Sequence, residues 1–261
     1  MFLTNSSKCH CSGKKKEEKK SRCNSIVNNL PTRKPDLAIY SQIEEIKNGR
    51  IPTWDSPDII TNNWNPFRLK PEAEVKIRNL SSHVPAINAQ INYYTSSFGI
   101  GTALTLKLSK NIDVPPLSEI KINFPMDQIT FNGDPKVGVH IKIEHAKDLN
   151  KTNNTGSQVH DGRMTSVAGR QFSIDVPVVN NTSSRKRINL TIPRSELIVS
   201  SLSDSFMLDP NEQKNAKLNI QVPISLRGNS SSYITKSVTL IGTLDNGEVI
   251  GGATILIRID N

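Results

Sequence analysis

Cysteine is almost missing from this chain. The three in 261 residues, Cys9, Cys11 and Cys23, all fall near the start. No disulfide can therefore staple the remaining length, and cysteine usage leaves the compartment open. Aromatic residues amount to 5% and hydrophobic residues to 35%, which suits two modest β-cores with polar faces better than one large α/β core. No run approaches the roughly 18 apolar residues of a membrane-spanning helix. Met1-Phe2-Leu3 passes at once into Thr4-Asn5-Ser6-Ser7, which leaves no apolar core for a secretory signal; the expectation is a cytosolic product, or export by a signal-independent route. The Walker, H-E-x-x-H and G-x-S-x-G signatures are absent. Gly99-Ile100-Gly101-Thr102 lacks both the third glycine and the following helix of a dinucleotide turn.

What is present begins with charge. Residues 1–34 carry nine Lys or Arg against two Glu, a net +7, so the rest contributes only +2 of the total +9. K-K-K-E-E-K-K is a charge block and N-N-L-P-T-R-K-P a linker, so this segment reads as a disordered basic tail. It suits weak contact with anionic surfaces. With no aromatic residue after Phe2 it offers no base-stacking platform, and specific nucleic-acid binding is not expected.

Beyond the tail the rhythm has a period of two. Val137, Val139, Ile141 and Ile143 alternate with His140, Lys142 and Glu144, the pattern of a half-buried strand. Similar runs place Val75 and Ile77, then Ile87, Ala89, Ile91 and Tyr93, then Leu104, Leu106 and Leu108, then Ile120, Ile122 and Phe124 on inward faces. After the turn-rich Asp148–Gly156 the theme repeats at Gln171–Val178, Arg187–Ile192, Ala216–Val222, Lys236–Leu244 and Val249–Ile259, with a hairpin signal at Asp245-Asn246-Gly247 and a bulge signal at Gly251-Gly252. Gln42–Lys47 suits one helical turn, and the Pro-rich Arg50–Phe67 reads as loop with a short edge strand near Asp58–Ile60. No longer stretch holds a helical period. The reading is all-β: two tandem immunoglobulin-like antiparallel sandwiches, residues 35–156 and 157–261, hinged at the asparagine-rich break.

K-P-D-L-A-I, E-V-K-I-R-N-L-S-S-H-V-P-A-I-N-A-Q-I and H-I-K-I-E-H-A-K-D-L-N-K-T-N-N together resemble the bacterial immunoglobulin-like modules called CARDB. Asp148, Asn150, Asn153 and Asn154 match the closing turn of that family, while Leu80-Ser81 departs from its usual glycine. The second half, with F-S-I-D-V-P-V-V-N-N-T and L-D-P-N-E-Q-K-N-A-K-L-N-I-Q-V-P, resembles neighbouring immunoglobulin-like modules of bacterial enzymes and surface proteins. The resemblance implies a non-catalytic binding, adhesion or spacer module without a cofactor.

Candidate sites follow from residue chemistry. Cys9, His10, Cys11 and Cys23 offer Zn ligands at unfavourable spacing. Asp148, Asn150, Asn153 and Asn154 offer oxygens to Ca²⁺, although Asx-turn chemistry accounts for them without a metal; Asp55 and Asp58 stand under the same alternative. His140, His145, Asp148, His160 and Asp161 surround the break, either as a surface scatter or as a site. Trp54, Trp64, Phe67, Tyr93, Tyr94 and Phe98 hold most aromatics of the first half. They form a recognition patch if exposed and a plug if buried. Asn79, Asn180 and Asn189 begin sequons. The leading expectation is a non-enzymatic module making protein–protein or cell-surface contacts. The alternatives are a carbohydrate-binding adhesion module using Trp54 and Trp64, and a metal-dependent enzyme with its site at the hinge.

Overall fold

The computed structural model describes residues 34–61, 72–125, 137–193, 195, 197–201, 203–226 and 233–260, with the side chains of 72, 125, 160–164 and 201 excepted. Among the described residues fifteen strands and a single α-helix form three sheets, and no helix is long and apolar enough to cross a membrane. The chain is all-β, as its two-residue rhythm requires.

The first half runs β1 (Leu37–Ala38), α1 (Gln42–Lys47), β2 (Ile59–Ile60), β3 (Glu72–Asn79), β4 (Ala86–Ser97), β5 (Thr105–Val114), β6 (Ser118–Pro125) and β7 (Val137–Glu144). Strands β1 and β2 lie along β3 at different heights, and β6 also pairs with β3. Facing this small sheet is the run β5-β4-β7. Alternation places Ala73, Val75 and Ile77 of β3 against Ile91 and Tyr93 of β4 and Val139, Ile141 and Ile143 of β7 in one buried cluster. Helix α1 starts at Ser41, whose hydroxyl accepts from Glu44 N, the usual N-cap arrangement.

The second half contains β9 (Gln171–Val179), β10 (Lys186–Thr191), β11 (Ile198–Ser201), β12 (Ser205–Leu208), β13 (Gln213–Gln221), β14 (Ile234–Leu244) and β15 (Val249–Asp260). The order β11-β13-β9 makes one sheet and β12-β10-β14-β15 the other. Their inner faces form a second cluster built on Val176, Val178, Leu218, Ile220, Leu240 and Ile255. Each half thus packs a core of its own between sheets.

Strand β8 (Thr155–Val167) serves both. Residues 155–159 pair antiparallel with β7, and residues from His160 onward pair parallel with β15. One eight-stranded sheet, β12-β10-β14-β15-β8-β7-β4-β5, therefore runs through both halves. The asparagine-rich break is not a free hinge. Asp148 Oδ1 accepts from Leu37 N at 2.8 Å and its Oδ2 from Asn154 Nδ2 at 2.8 Å, while Ile39 N donates to Asn153 O and Leu149 N to Pro35 O. These bonds lock the β7–β8 turn onto β1.

Three inward assignments also need correction. A register shift between Ala86 and Ala89, with Asn88 at φ 57°, turns Ile87 outward to 57% exposure. A second shift opposite Tyr93/Tyr94 places Leu108 beside Tyr93 but Leu106 beside Tyr94. Leu104 and Leu106, expected in the core, are each 52% exposed. An extra residue in one strand switches every later side chain to the other face.

Candidate functional site

The outer face of β5-β4-β7-β8 carries a row fixed by register: Leu106 beside Tyr94, Tyr94 beside His140, His140 beside Ser157. His140 does face away from the first core, but it is partly buried and fully engaged. Ser96 Oγ donates to Ser97 O at 3.0 Å and lies 3.0 Å from His140 Nε2, while Ser157 Oγ lies 2.9 Å from Nδ1. This network assigns the proton to Nε2, which donates to Ser96, and makes Nδ1 the acceptor of the Ser157 hydroxyl. Burial pushes the imidazole down to about 4, so it is neutral at neutral pH. Gly138 makes the arrangement possible, because a Cβ there would collide with Ser96 Oγ and stand 2.8 Å from His140 Nε2.

A cleft of about 230 Å³ opens over the His140–Ser157 end of this row, where the halves meet. Gln42 and Ile43 line one wall, Gly99, Gly101, Thr102 and Leu104 another, and Asn181 with Val249–Gly252 a third; His140, Thr155, Ser157 and Val159 form the floor and Trp54 the back. No Asp, Glu, Lys or Arg lines it.

Two loops of the first half build these walls by docking into the second. Trp54 is 3% exposed and belongs to the second core cluster. Its N donates to Thr254 Oγ1 at 2.9 Å, and Val159 N donates to its carbonyl at 2.7 Å. Its ring lies so close over Gly252 that an added Cβ would stand 2.6 Å from Cη2. Gln42 completes the seam: Nε2 donates to Ser157 O at 2.7 Å and Oε1 accepts from Ser157 N at 3.1 Å. Hence the free edge of β8 is capped before β15 takes over. The β4–β5 loop inserts Phe98 and Ile100 into the second core. Ile100 N donates to Pro177 O and Val179 N to Ile100 O, a strand-like contact that only glycines can flank. Gly99 and Gly101 have φ of 141° and 69°, and a Cβ on either would strike the carbonyl of Pro177 or Val179. The Gly-Ile-Gly turn is thus a docking point.

The remaining candidates separate. Trp54 and Phe98 are buried in the second cluster and Tyr93 in the first, where its ring centroid is 4.6 Å from that of Phe124; of the three only Trp54 lines the cleft. Tyr94 is half-buried on the outer face. Of His140, His145 and Asp148 only His140 lines the cleft, since His145 Nε2 meets Ile87 O at 3.2 Å and Asp148 holds the β1 turn. Asn150 Oδ1 accepts from Thr152 N, as an Asx turn does. Asp58 takes two 2.6 Å bonds from Arg78 and one from Tyr40 N, and Asp55 Oδ1 accepts from Gln158 Nε2. Among the described residues no group of three or more His, Cys, Asp or Glu is placed to hold a metal. Trp64, Phe67, Cys9, His10, Cys11 and Cys23, and the side chains of His160 and Asp161, lie outside the described residues. Sequence reasoning missed Ser96, Ser157 and Gln42, which only strand register and the α1 docking bring to His140.

Asn79 and Asn180 occupy equivalent corners. Each is 1% exposed; Asn79 is the last residue of β3 and Asn180 follows directly on β9. Asn79 Nδ2 donates to Val84 O and Val114 O, and Asn180 Nδ2 to Ser184 O and Leu208 O. Both sequon amides are committed to the fold.

The chain matches no protein-family profile and no curated protein. Solved structures resemble it at low identity. The native Escherichia coli alpha-2-macroglobulin aligns at 10% identity over 81% of this chain and 17% of its own length, with a TM-score of 0.28. A Porphyromonas gingivalis W83 protein of unknown function aligns at 10% identity over 78% of this chain and 100% of its own length, TM-score 0.25. The CupB6 tip adhesin of Pseudomonas aeruginosa aligns at 7% identity over 87% and 97%, TM-score 0.22. The chain spans 17% of the macroglobulin it matches. The strand order defines an all-β protein of packed, mainly antiparallel sheets.

Proposed function

We propose that this chain is a non-enzymatic binding module, two immunoglobulin-like sandwiches in tandem, that recognises a partner on a protein or cell surface through the outer face of β5-β4-β7-β8. The first sandwich is read as CARDB-like, and the division between the two is placed inside β8. The observation that carries the reading is the β5 shift, which turns Leu106 out to solvent beside Tyr94, two residues from the exposed Leu104 on the cleft lining. A bulge that re-aims side chains next to a cleft is a common device at binding sites, and exposed apolar side chains beside a polar floor suit recognition. The histidine and aspartates that a catalyst would use are tied into the sheet and its turns.

The test is capture from the source cells with the intact chain, a Leu106→Lys variant and an Ile224→Lys control, Ile224 being 73% exposed in the second half. A partner retained by the intact chain and the control but lost by Leu106→Lys supports the reading. Equal retention by all three overturns it.

A further inference from the structure

We infer that the cleft over His140 takes a single neutral sugar ring, the end of a glycan displayed by the partner; this rests on the binding-module reading above. Charge comes first. The lining holds no ionic side chain, and two charges further along β7, Lys142 and Glu144, pair with each other at 2.6 Å. A phosphate, carboxylate or ammonium ligand would lose its hydration and find no counter-charge. Size comes second. About 230 Å³ lies under the roughly 300–1,000 Å³ of sites for drug-sized ligands, so one ring fits and an extended chain does not.

Chemistry excludes a peptide strand. Strand addition needs free backbone donors and acceptors at an edge, but here Ser157 N and O are held by Gln42, Val159 N by Trp54 O, and Ile100 N and O by β9. What the cleft presents is side-chain hydroxyl and amide groups: exposed Thr155 and Asn181, with Thr102 and Ser157 close by. Beside them the lining turns apolar through Leu104, Val249 and Ile250. A sugar ring has the matching pair of surfaces, a rim of hydroxyls and an apolar C–H face that packs on an aromatic or aliphatic side chain. The neutral, fully hydrogen-bonded His140 holds the floor flat and uncharged.

The experiment is saturation-transfer NMR on the intact chain with the methyl glycosides of glucose, galactose, mannose and N-acetylglucosamine, and of glucuronic acid as the charged probe. At least one neutral glycoside should show saturable binding. Its affinity should fall about fivefold in Asn181→Ala, the worth of one hydrogen bond, and disappear in both Thr155→Trp and Leu104→Trp, two substitutions at exposed positions that fill the cleft. The inference is overturned if no neutral glycoside binds saturably, if glucuronide binds as well as they do, or if binding survives both fillers. Glycoside failure with Leu106→Lys still abolishing partner capture defeats the sugar assignment alone; failure of both defeats the module reading too.

Discussion

Replacing Trp54 by alanine tests whether a loop from the first half is a core element of the second. The ring is 3% exposed, and its edge lies against Gly252. Truncation leaves the backbone bonds to Thr254 and Val159 in place, so the loss is that of the ring: its transfer free energy plus the cavity it vacates, about 3–5 kcal/mol. Against a typical total of about 5–15 kcal/mol this is severe, and for a fold of this size it lowers Tm by roughly 10 °C. Gly252→Ala approaches the same contact from the other side. Its Cβ would stand 2.6 Å from two ring atoms and 2.7 Å from Leu240 O, an overpacking cost of about 1–3 kcal/mol. In the double variant the ring is gone and only the Leu240 carbonyl still crowds the methyl. The double variant should therefore be more stable than the summed single effects by about 1 kcal/mol. Denaturant unfolding followed by circular dichroism on the four proteins measures the cycle. A Trp54→Ala cost under about 1 kcal/mol, or strict additivity, would refute the account of the joint.

Asn79→Ala and Asn180→Ala each strip one buried and one part-buried carbonyl of their donors; each should cost about 2 kcal/mol, read from urea midpoints, with near-additivity because the corners belong to different cores. Tyr93→Phe should leave stability unchanged or raise it by up to about 1 kcal/mol, since the Tyr93 hydroxyl is buried with no hydrogen-bond partner among the described residues; a clear loss in thermal unfolding would argue against this. His140 gives a pH test. Its folded value of about 4 lies below the ordinary 6.5, so between those values the unfolded chain binds more protons. Stability is full above about pH 6.5 and falls as pH drops toward 4. His140→Gln should flatten that slope in unfolding measured from pH 4.5 to 7, and an unchanged slope would place the titration elsewhere.

Strand identity was legible because burial on one face imposes alternation on the sequence, and β3 and β7 show that plainly. Register was not. The Leu104-Leu106-Leu108 run alternates without a break in sequence, yet a one-residue shift sends two of its members to solvent; nothing local in T-A-L-T-L-K-L-S marks where β4 and β5 fall out of step. The asparagine-rich break looked mobile because Asx-turn residues are common in loops. Asp148 instead spends both oxygens on distant partners, a tertiary fact invisible in spacing. His140 was placed on the correct face but not beside its serines, because Ser96 and Ser157 reach it across strands 44 and 17 residues away.

The position of the joint follows from the edges. A sandwich ending at β7–β8 leaves the far edge of β8 with unpaired donors and acceptors, and an unpaired edge invites association. The chain satisfies that edge twice: first with Gln42 and the Trp54 carbonyl, then, past Val159, with β15 in parallel. Because the second partner is a strand of the next sandwich, the edge of one module becomes part of the sheet of the other. With Phe98 and Ile100 also buried in the second core, the halves cannot rotate without exposing apolar surface and breaking the β8–β15 ladder. The cleft is therefore a fixed feature. Its walls come from both halves, and its recognition geometry should be lost by changes at the joint, such as Phe98→Ala, at residues that do not line it.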